Sequence, residues 1–87
     1  MSNLSTSHHA LVTGGGRGIG RAIAETLTRA GAIVTILGRD RVTLERAVQE
    51  GAAHHALVAD VSDQAAVNAA IAEAAARQPI DSLVANA

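Results

Sequence analysis

The sequence predicts an α/β fold with a doubly wound parallel sheet, in which helices cover both faces of the sheet. Short apolar segments alternate with longer segments whose apolar residues recur at helical spacing, in the order β-α-β-α-β-α-β. The connections are only a few residues long, and strands joined through such helices run parallel with right-handed crossovers. We therefore expect a single unit over residues 9–87, preceded by a flexible, serine-rich N-terminus over residues 1–8.

Each element has its own signal in the sequence. The first strand, 10–13, is apolar and stops at three consecutive glycines. A helix follows, because Ile19, Ile23 and Leu27 recur every four residues and a glycine stands where a helix C-terminus favours one. The second strand, 32–37, has the strongest signal because it is rich in β-branched and apolar residues.

The second half of the chain continues this alternation. Its longest predicted helix carries Val67, Ala70, Ile71 and Ala74 on one face, and Pro79 follows this helix. The other elements are a helix over 41–50, a strand over 55–58, a turn over 60–63 in which Ser62 or Asp63 caps the next helix, and a strand over 80–85.

Composition excludes several kinds of chemistry. The 87 residues carry a net charge of -1, and the seven basic residues are all arginine, so the chain contains no lysine. It also contains no tyrosine, tryptophan, phenylalanine or cysteine, which excludes a catalytic tyrosine or lysine, a thiol nucleophile and a cysteine-ligated zinc. Without a basic surplus or aromatic residues, nucleic acid is not an expected partner. The polar N-terminus and the lack of a long apolar run predict a cytoplasmic protein without a membrane segment.

A glycine-rich turn, Thr13–Gly20, lies between the first strand and the first helix. Backbone N–H groups and the helix dipole make this place a site for a phosphate. A P-loop would need a lysine where Arg21 follows the last glycine, so that interpretation fails. The strict spacing Gly-x-Gly-x-x-Gly also fails, whereas Gly14, Gly18 and Gly20 fit Gly-x-x-x-Gly-x-Gly.

At this turn the sequence resembles the short-chain dehydrogenase/reductase family, whose signature Thr-Gly-x-x-x-Gly-x-Gly is present in full. The resemblance continues through Asp60-Val61 after the third strand. It ends in Leu83–Ala87, which is similar to the family's Asn-Asn-Ala-Gly motif with Ala85 in place of the first Asn. It thus covers nearly all of the chain and implies a Rossmann-type fold, here the β-α-β-α-β-α-β portion only.

The resemblance also implies which residues bind a nicotinamide dinucleotide. The diphosphate is expected on the turn, with Ile19 near the nicotinamide. Asp60 is expected to accept a hydrogen bond from the adenine amino group, with the backbone of Val61 beside the ring. The implied site residues of the turn and of the fourth strand are Gly14, Gly16, Gly18, Ile19, Gly20, Asn86 and Ala87.

The end of the second strand bears on the choice of cofactor. A carboxylate there binds the ribose 2′-OH of NAD, whereas an arginine favours the 2′-phosphate of NADP. The strand ends in Gly38-Arg39, so we expect Arg39 to bind the phosphate, with Arg17 as a second cation. NADP(H) is therefore favoured over NAD(H), with Asp40 either pairing with Arg39 or pointing away.

Each of these residues can also be explained by a purely structural role. Arg17 and Arg39 can be solvated surface charges, and Asp60 can serve only as a helix N-cap. The pairs His8-His9 and His54-His55 raise the question of a metal site. Both pairs are predicted at strand beginnings, at the edge opposite the glycine turn, so no metal site is expected.

The resemblance implies an oxidoreductase that moves a hydride between the nicotinamide and a small-molecule carbonyl compound or secondary alcohol, of the 3-oxoacyl reductase-like kind. The family's catalytic serine, tyrosine, lysine and asparagine have no counterpart here, so residues 9–87 are expected to be the N-terminal part of a single dinucleotide-binding domain, ending before the catalytic motifs. Family members often form tetramers, which implies a homo-oligomer. The alternative is a non-catalytic nucleotide-binding fragment or interaction module.

Overall fold

The structure is a computed structural model that describes residues 8–86. It confirms the predicted order of elements. The strands are β1 (His9–Thr13), β2 (Ile33–Gly38), β3 (His55–Val58) and β4 (Ser82–Val84), and the helices are α1 (Gly18–Arg29), α2 (Arg41–Gln49) and α3 (Gln64–Arg77).

The four strands form one parallel sheet in the order β3-β2-β1-β4. In its register, Val12 of β1 lies beside Ile36 of β2 on one side and beside Val84 of β4 on the other. The chain thus moves outward from β1 to β3 and then crosses back to β4. The change of direction lies between β1 and β4, and open α/β sheets bind ligands at the carboxyl ends of the strands beside such a point.

The two faces of the sheet bury different residues because side chains alternate along a strand. On one face, Val34 and Ile36 pack in a cluster with Ala24 of α1 and Leu44 of α2. The opposite-face cluster contains Leu11, Leu37, Ala70 and Ala74, the last two from α3. Helices therefore cover both faces, which confirms the doubly wound arrangement.

Helices α2 and α3 both begin at an aspartate. The carboxylate of Asp40 accepts hydrogen bonds from the backbone N–H groups of Val42 and Thr43, at 3.1 and 3.4 Å. Asp63 accepts one from Ala66, at 3.2 Å, so it and not Ser62 is the cap of α3. These caps satisfy backbone donors that the first turn of a helix leaves unpaired.

The fourth strand is shorter than the predicted segment 80–85. Ile80 packs against the core beside α3, and the carboxylate of Asp81 accepts a hydrogen bond from the N–H of His9 at 2.8 Å. At the other end the backbone N–H of Asn86 donates to the hydroxyl of Thr13 instead of continuing the ladder. Tertiary contacts at both ends therefore limit β4 to Ser82–Val84.

The histidines lie at the amino ends of the strands, as predicted. His9 is 1% exposed, and its ring contacts the Gln78 carbonyl oxygen through Nδ1 and the Thr35 hydroxyl through Nε2, both at 2.8 Å. In the neutral ring, Nδ1 therefore donates and Nε2 accepts. Within residues 8–86 no group of three or more His, Cys, Asp or Glu side chains is arranged to hold a metal ion. The described histidine contacts are structural.

His54 has an unusual structural contact with β2. Its Nδ1 accepts a hydrogen bond from the backbone N–H of the fully buried Val34 at 3.0 Å. We expect His54→Ala to lower the free energy of unfolding by about 1–3 kcal/mol, because the buried N–H loses its acceptor. Urea unfolding measures this change. His54→Asn is the matched control, since its Oδ1 can replace Nδ1 and should restore most of the loss; equal losses in both variants would contradict the assignment.

Candidate functional site

A cleft of about 500 Å³ opens at the carboxyl ends of β1 and β2. One wall is the glycine turn, and the other is the end of β2 with the first turn of α2. Its lining residues are Gly14, Gly16, Arg17, Gly38, Arg39, Asp40, Thr43 and Leu44. The cleft combines backbone with a few charged and polar groups, which is typical of a small-ligand site.

The glycine turn brings backbone atoms closer together than side chains would allow. Gly14 has a positive φ of 67° and donates its N–H to the carbonyl oxygen of Leu37 at 2.7 Å, which closes the turn against β2. A Cβ on Gly20 would overlap the carbonyl oxygen of Gly14. These two glycines therefore let the beginning of α1 pack directly on the turn.

The N-terminus of α1 faces this turn and differs from the other two. Its N-cap residue is Arg17, whose side chain makes no capping hydrogen bond within the described part of the chain. Gly18, at the start of the helix, faces open space, because a Cβ there would meet nothing within 4 Å. The first-turn N–H groups and the positive end of the helix dipole suit an anionic ligand.

Arg17 also carries a charge beside the cleft. Its guanidinium lies 3.4 Å from the carboxylate of Asp40, and the two side chains are 75% and 51% exposed. Hydrogen bonds from the hydroxyl and N–H of Thr43, then from the N–H of Val42, together with the Arg17 charge, lower the pKa of Asp40 below its ordinary value. Asp40 therefore stays ionised, and it pairs with Arg17 at a distance at which Coulomb attraction is modest in water.

Arg39 extends from the other wall of the cleft. Its guanidinium lies 3.9 Å from the carboxylate of Asp60, and the Arg39 side chain is 81% exposed. Asp60 accepts hydrogen bonds from the N–H and hydroxyl of Ser62, which lower its pKa, as does the charge of Arg39. Asp60 therefore holds the turn after β3 and is not the N-cap of α3. Its second carboxylate oxygen faces Arg39.

Asn86 connects β4 to the glycine turn. Its backbone N–H donates to the Thr13 hydroxyl at 2.9 Å, and that hydroxyl donates to the carbonyl oxygen of Val84 at 3.3 Å. Its side-chain amide lies next to Gly14 and Gly20, where added Cβ atoms would touch it. Asn86 therefore ties the central strands together at the site. Ala87 lies outside the described residues.

Two apolar residues of the predicted site are largely exposed to solvent in the structure. Ile19 is 73% exposed at the start of α1, and Val61 is 58% exposed in the turn after β3. Both lie on the same edge of the sheet as the cleft, because they follow the carboxyl ends of β1 and β3. Exposed apolar side chains beside a polar cleft suit contact with the rings of a ligand.

Asp40 and Thr43 are the site residues that sequence reasoning missed. Asp40 was considered only as a partner of Arg39, whereas the structure pairs it with Arg17 and with the first turn of α2. The Thr43 hydroxyl donates to the Asp40 carboxylate at 2.8 Å. A signal was present for Asp40, because an aspartate at the start of a helical apolar pattern indicates an N-cap.

The parallel sheet and the glycine turn between its first strand and first helix together define a Rossmann-type fold. The family model described as short chain dehydrogenase matches residues 8–87. The chain belongs to this family, as the resemblance implied. Among the described helices, none has the length and apolar character needed to cross a bilayer.

Two relatives show how the chain compares with characterised proteins. It is 46% identical over 78 residues to D-erythrulose reductase of Gallus gallus, an alignment that covers 90% of this chain and 30% of the relative. It is 47% identical over 77 residues to galactitol 2-dehydrogenase (L-tagatose-forming) of Cereibacter sphaeroides, covering 86% of this chain and 30% of the relative. The chain thus spans about a third of the length of these relatives.

Solved structures agree on the fold. A protein described as ribose-5-phosphate isomerase of Brucella melitensis 16M superposes with a TM-score of 0.89 at 41% identity, over 100% of this chain and 34% of that one. A variant of actinorhodin polyketide ketoreductase, solved with NADPH, superposes with a TM-score of 0.87 at 32% identity, over 97% of this chain and 35% of that one. These two proteins are named for different activities and share the architecture of this chain.

Proposed function

We propose that this chain supplies the cofactor site of an NADP(H)-dependent oxidoreductase acting on a carbonyl compound or a secondary alcohol. The observation that carries the proposal is the cleft, which is lined by the glycine turn and by two exposed arginines, Arg17 and Arg39. The relatives named as a reductase and as a dehydrogenase support the reaction class. When bound, the nicotinamide would supply or accept the hydride.

The residues of the turn fit the diphosphate of such a cofactor. The N-terminus of α1 has no side-chain cap and Gly18 faces open space, so an anion can approach the first-turn N–H groups. In this arrangement Ile19 would lie toward the nicotinamide, and Asn86 and Ala87 along the adenosine ribose. Asp60 would accept from the adenine amino group through the oxygen that now faces Arg39, with Val61 beside the ring.

The charges at the end of β2 support a 2′-phosphate. Gly38 carries no carboxylate where a free ribose 2′-OH would need one, and Arg39 follows it directly. Arg39 reaches Asp60 only at 3.9 Å and is 81% exposed, so little interaction energy opposes its turning toward a phosphate dianion. Arg17, on the opposite wall, would be the second cation.

The reduction chemistry belongs to the whole protein in this proposal. The 87 residues contain neither tyrosine nor lysine, so residues 9–87 are proposed as the N-terminal part of a single dinucleotide-binding domain whose proton-transfer groups come from elsewhere. Assembly as a homotetramer and a cytoplasmic location are further parts of the proposal.

Measuring the affinities of the two dinucleotides tests the proposed cofactor preference. We expect NADPH to bind about tenfold more tightly than NADH in isothermal titration calorimetry at low salt, because its 2′-phosphate meets two arginines. This advantage should shrink as the salt concentration rises, since both arginines are exposed. Equal affinities, or tighter binding of NADH, would overturn the preference for NADP(H). Binding of neither dinucleotide would overturn the cofactor site itself.

A further inference from the structure

The cleft beside the glycine turn is mixed in charge. Of the charged residues that line it, Arg17 and Arg39 are positive and Asp40 is negative. Arg39 is also paired with Asp60 from outside the cleft, so each arginine has a carboxylate partner before any ligand arrives. A dianionic phosphate entering this cleft would therefore gain two cations and meet at least one fixed anion.

Asp40 is held in place more firmly than the arginines. One of its oxygens accepts from the N–H groups of Val42 and Thr43, and the other accepts from the Thr43 hydroxyl at 2.8 Å. These contacts cap α2, so turning the carboxylate out of the cleft would leave helix donors unpaired. The same contacts lower its pKa, which keeps it charged. Arg17 and Arg39, in contrast, are long, exposed side chains.

From this geometry we infer that Asp40 is a specificity-determining residue, which weakens the binding of a 2′-phosphate and keeps the preference for NADP(H) over NAD(H) moderate. The inference rests on the proposed function. The carboxylate acts in two ways: it repels the phosphate directly, and it competes for the guanidinium of Arg17, 3.4 Å away. A ligand whose 2′ position bears only a hydroxyl carries no charge there for Asp40 to repel.

The substitution Asp40→Asn separates the effect of the negative charge from the effect of the helix cap. Because Asn caps helices about as well as Asp, Asp40→Asn removes the negative charge and leaves α2 capped. We expect it to tighten binding of 2′-phospho-ADP-ribose by about five- to tenfold, a moderate gain because the Asp40 side chain is 51% exposed. Binding of ADP-ribose should stay within about twofold. Both ligands lack the nicotinamide, so calorimetry measures them without turnover.

Asp63→Asn is the matched control. Asp63 caps α3 in the same way but is absent from the lining of the cleft, so neither affinity should change. Thermal unfolding of both variants checks that the caps are retained. Should Asp40→Asn fail to fold, Asp40→Ser, which also caps and also removes the charge, must shift the affinity in the same direction. Raising the salt concentration should reduce the gap between wild type and variant.

The outcomes separate this inference from the proposed function. If wild-type protein binds 2′-phospho-ADP-ribose no more tightly than ADP-ribose, the proposed NADP(H) preference is wrong. If wild type does prefer the phosphorylated ligand but Asp40→Asn leaves the ratio of the two affinities unchanged, only the role of Asp40 is wrong. A weaker affinity of Asp40→Asn for the phosphorylated ligand would also overturn it, because Asp40 would then be orienting Arg17 for binding.

Discussion

Replacing Arg39 by glutamate is expected to weaken the binding of NADPH by about 100-fold, equivalent to about 2.7 kcal/mol, and to leave NADH within about threefold of its wild-type affinity. The reason is that Arg39 lines the cleft with an exposed guanidinium at the end of β2, where the 2′-phosphate is proposed to bind. Glutamate removes an attraction to the phosphate dianion and adds a repulsion. Calorimetric titration with each dinucleotide measures both effects.

Arg46→Glu is the matched control for this charge reversal. Arg46 is an exposed residue in the last turn of α2 and does not line the cleft. It should lower stability by about 0.3–1 kcal/mol through the helix dipole and leave the two affinities nearly unchanged. If Arg46→Glu and Arg39→Glu weakened NADPH equally, the effect of Arg39 would be one of overall charge and the proposed contact would be wrong.

Replacing Gly20 by alanine is expected to weaken binding of both NADPH and NADH at least about 100-fold and to lower the free energy of unfolding by about 1–3 kcal/mol. The added Cβ would overlap the carbonyl oxygen of Gly14 and press on the side-chain amide of Asn86. Because the oxygen belongs to the backbone, the turn and the start of α1 must separate. The N–H groups proposed to hold the diphosphate then lose their arrangement.

Gly51→Ala shows what a glycine substitution costs away from the site. Gly51 follows α2 with a φ of 85° in open space, so alanine there should cost about 1 kcal/mol through backbone strain. Its effect on dinucleotide binding should be negligible, which calorimetry and urea unfolding check together. Wild-type affinity in Gly20→Ala would refute the packing argument for the glycine turn.

Local patterns sufficed to predict most of the fold. Apolar spacing alone predicts α1 and the core face of α3, and the structure buries Ala70 and Ala74 of that face. The β-branched run of β2 is likewise buried, with four consecutive buried residues from Val34 to Leu37. These predictions hold because helix and strand periodicity are properties of neighbouring residues, and the face that is apolar is the face that packs.

The ends of β4 depended on contacts with distant parts of the chain. The sequence predicts Ile80 and Ala85 as strand residues. In the structure both lie outside β4, and Ile80 packs against the core beside α3. Asp81 binds the N–H of His9, 72 residues away in the chain. No local pattern contains such information, because the partners are adjacent only once β1 and β4 have paired.

The sequence by itself determined the parallel α/β fold and the position of the glycine turn, since these depend on short-range spacing. Only the tertiary structure decided how the charges of the site are paired. Arg17 and Asp40 lie 23 residues apart in sequence and are brought to 3.4 Å by the pairing of β1 with β2. Coulomb interactions depend on separation in space, so the balance between two arginines and their aspartates arises from the folded sheet.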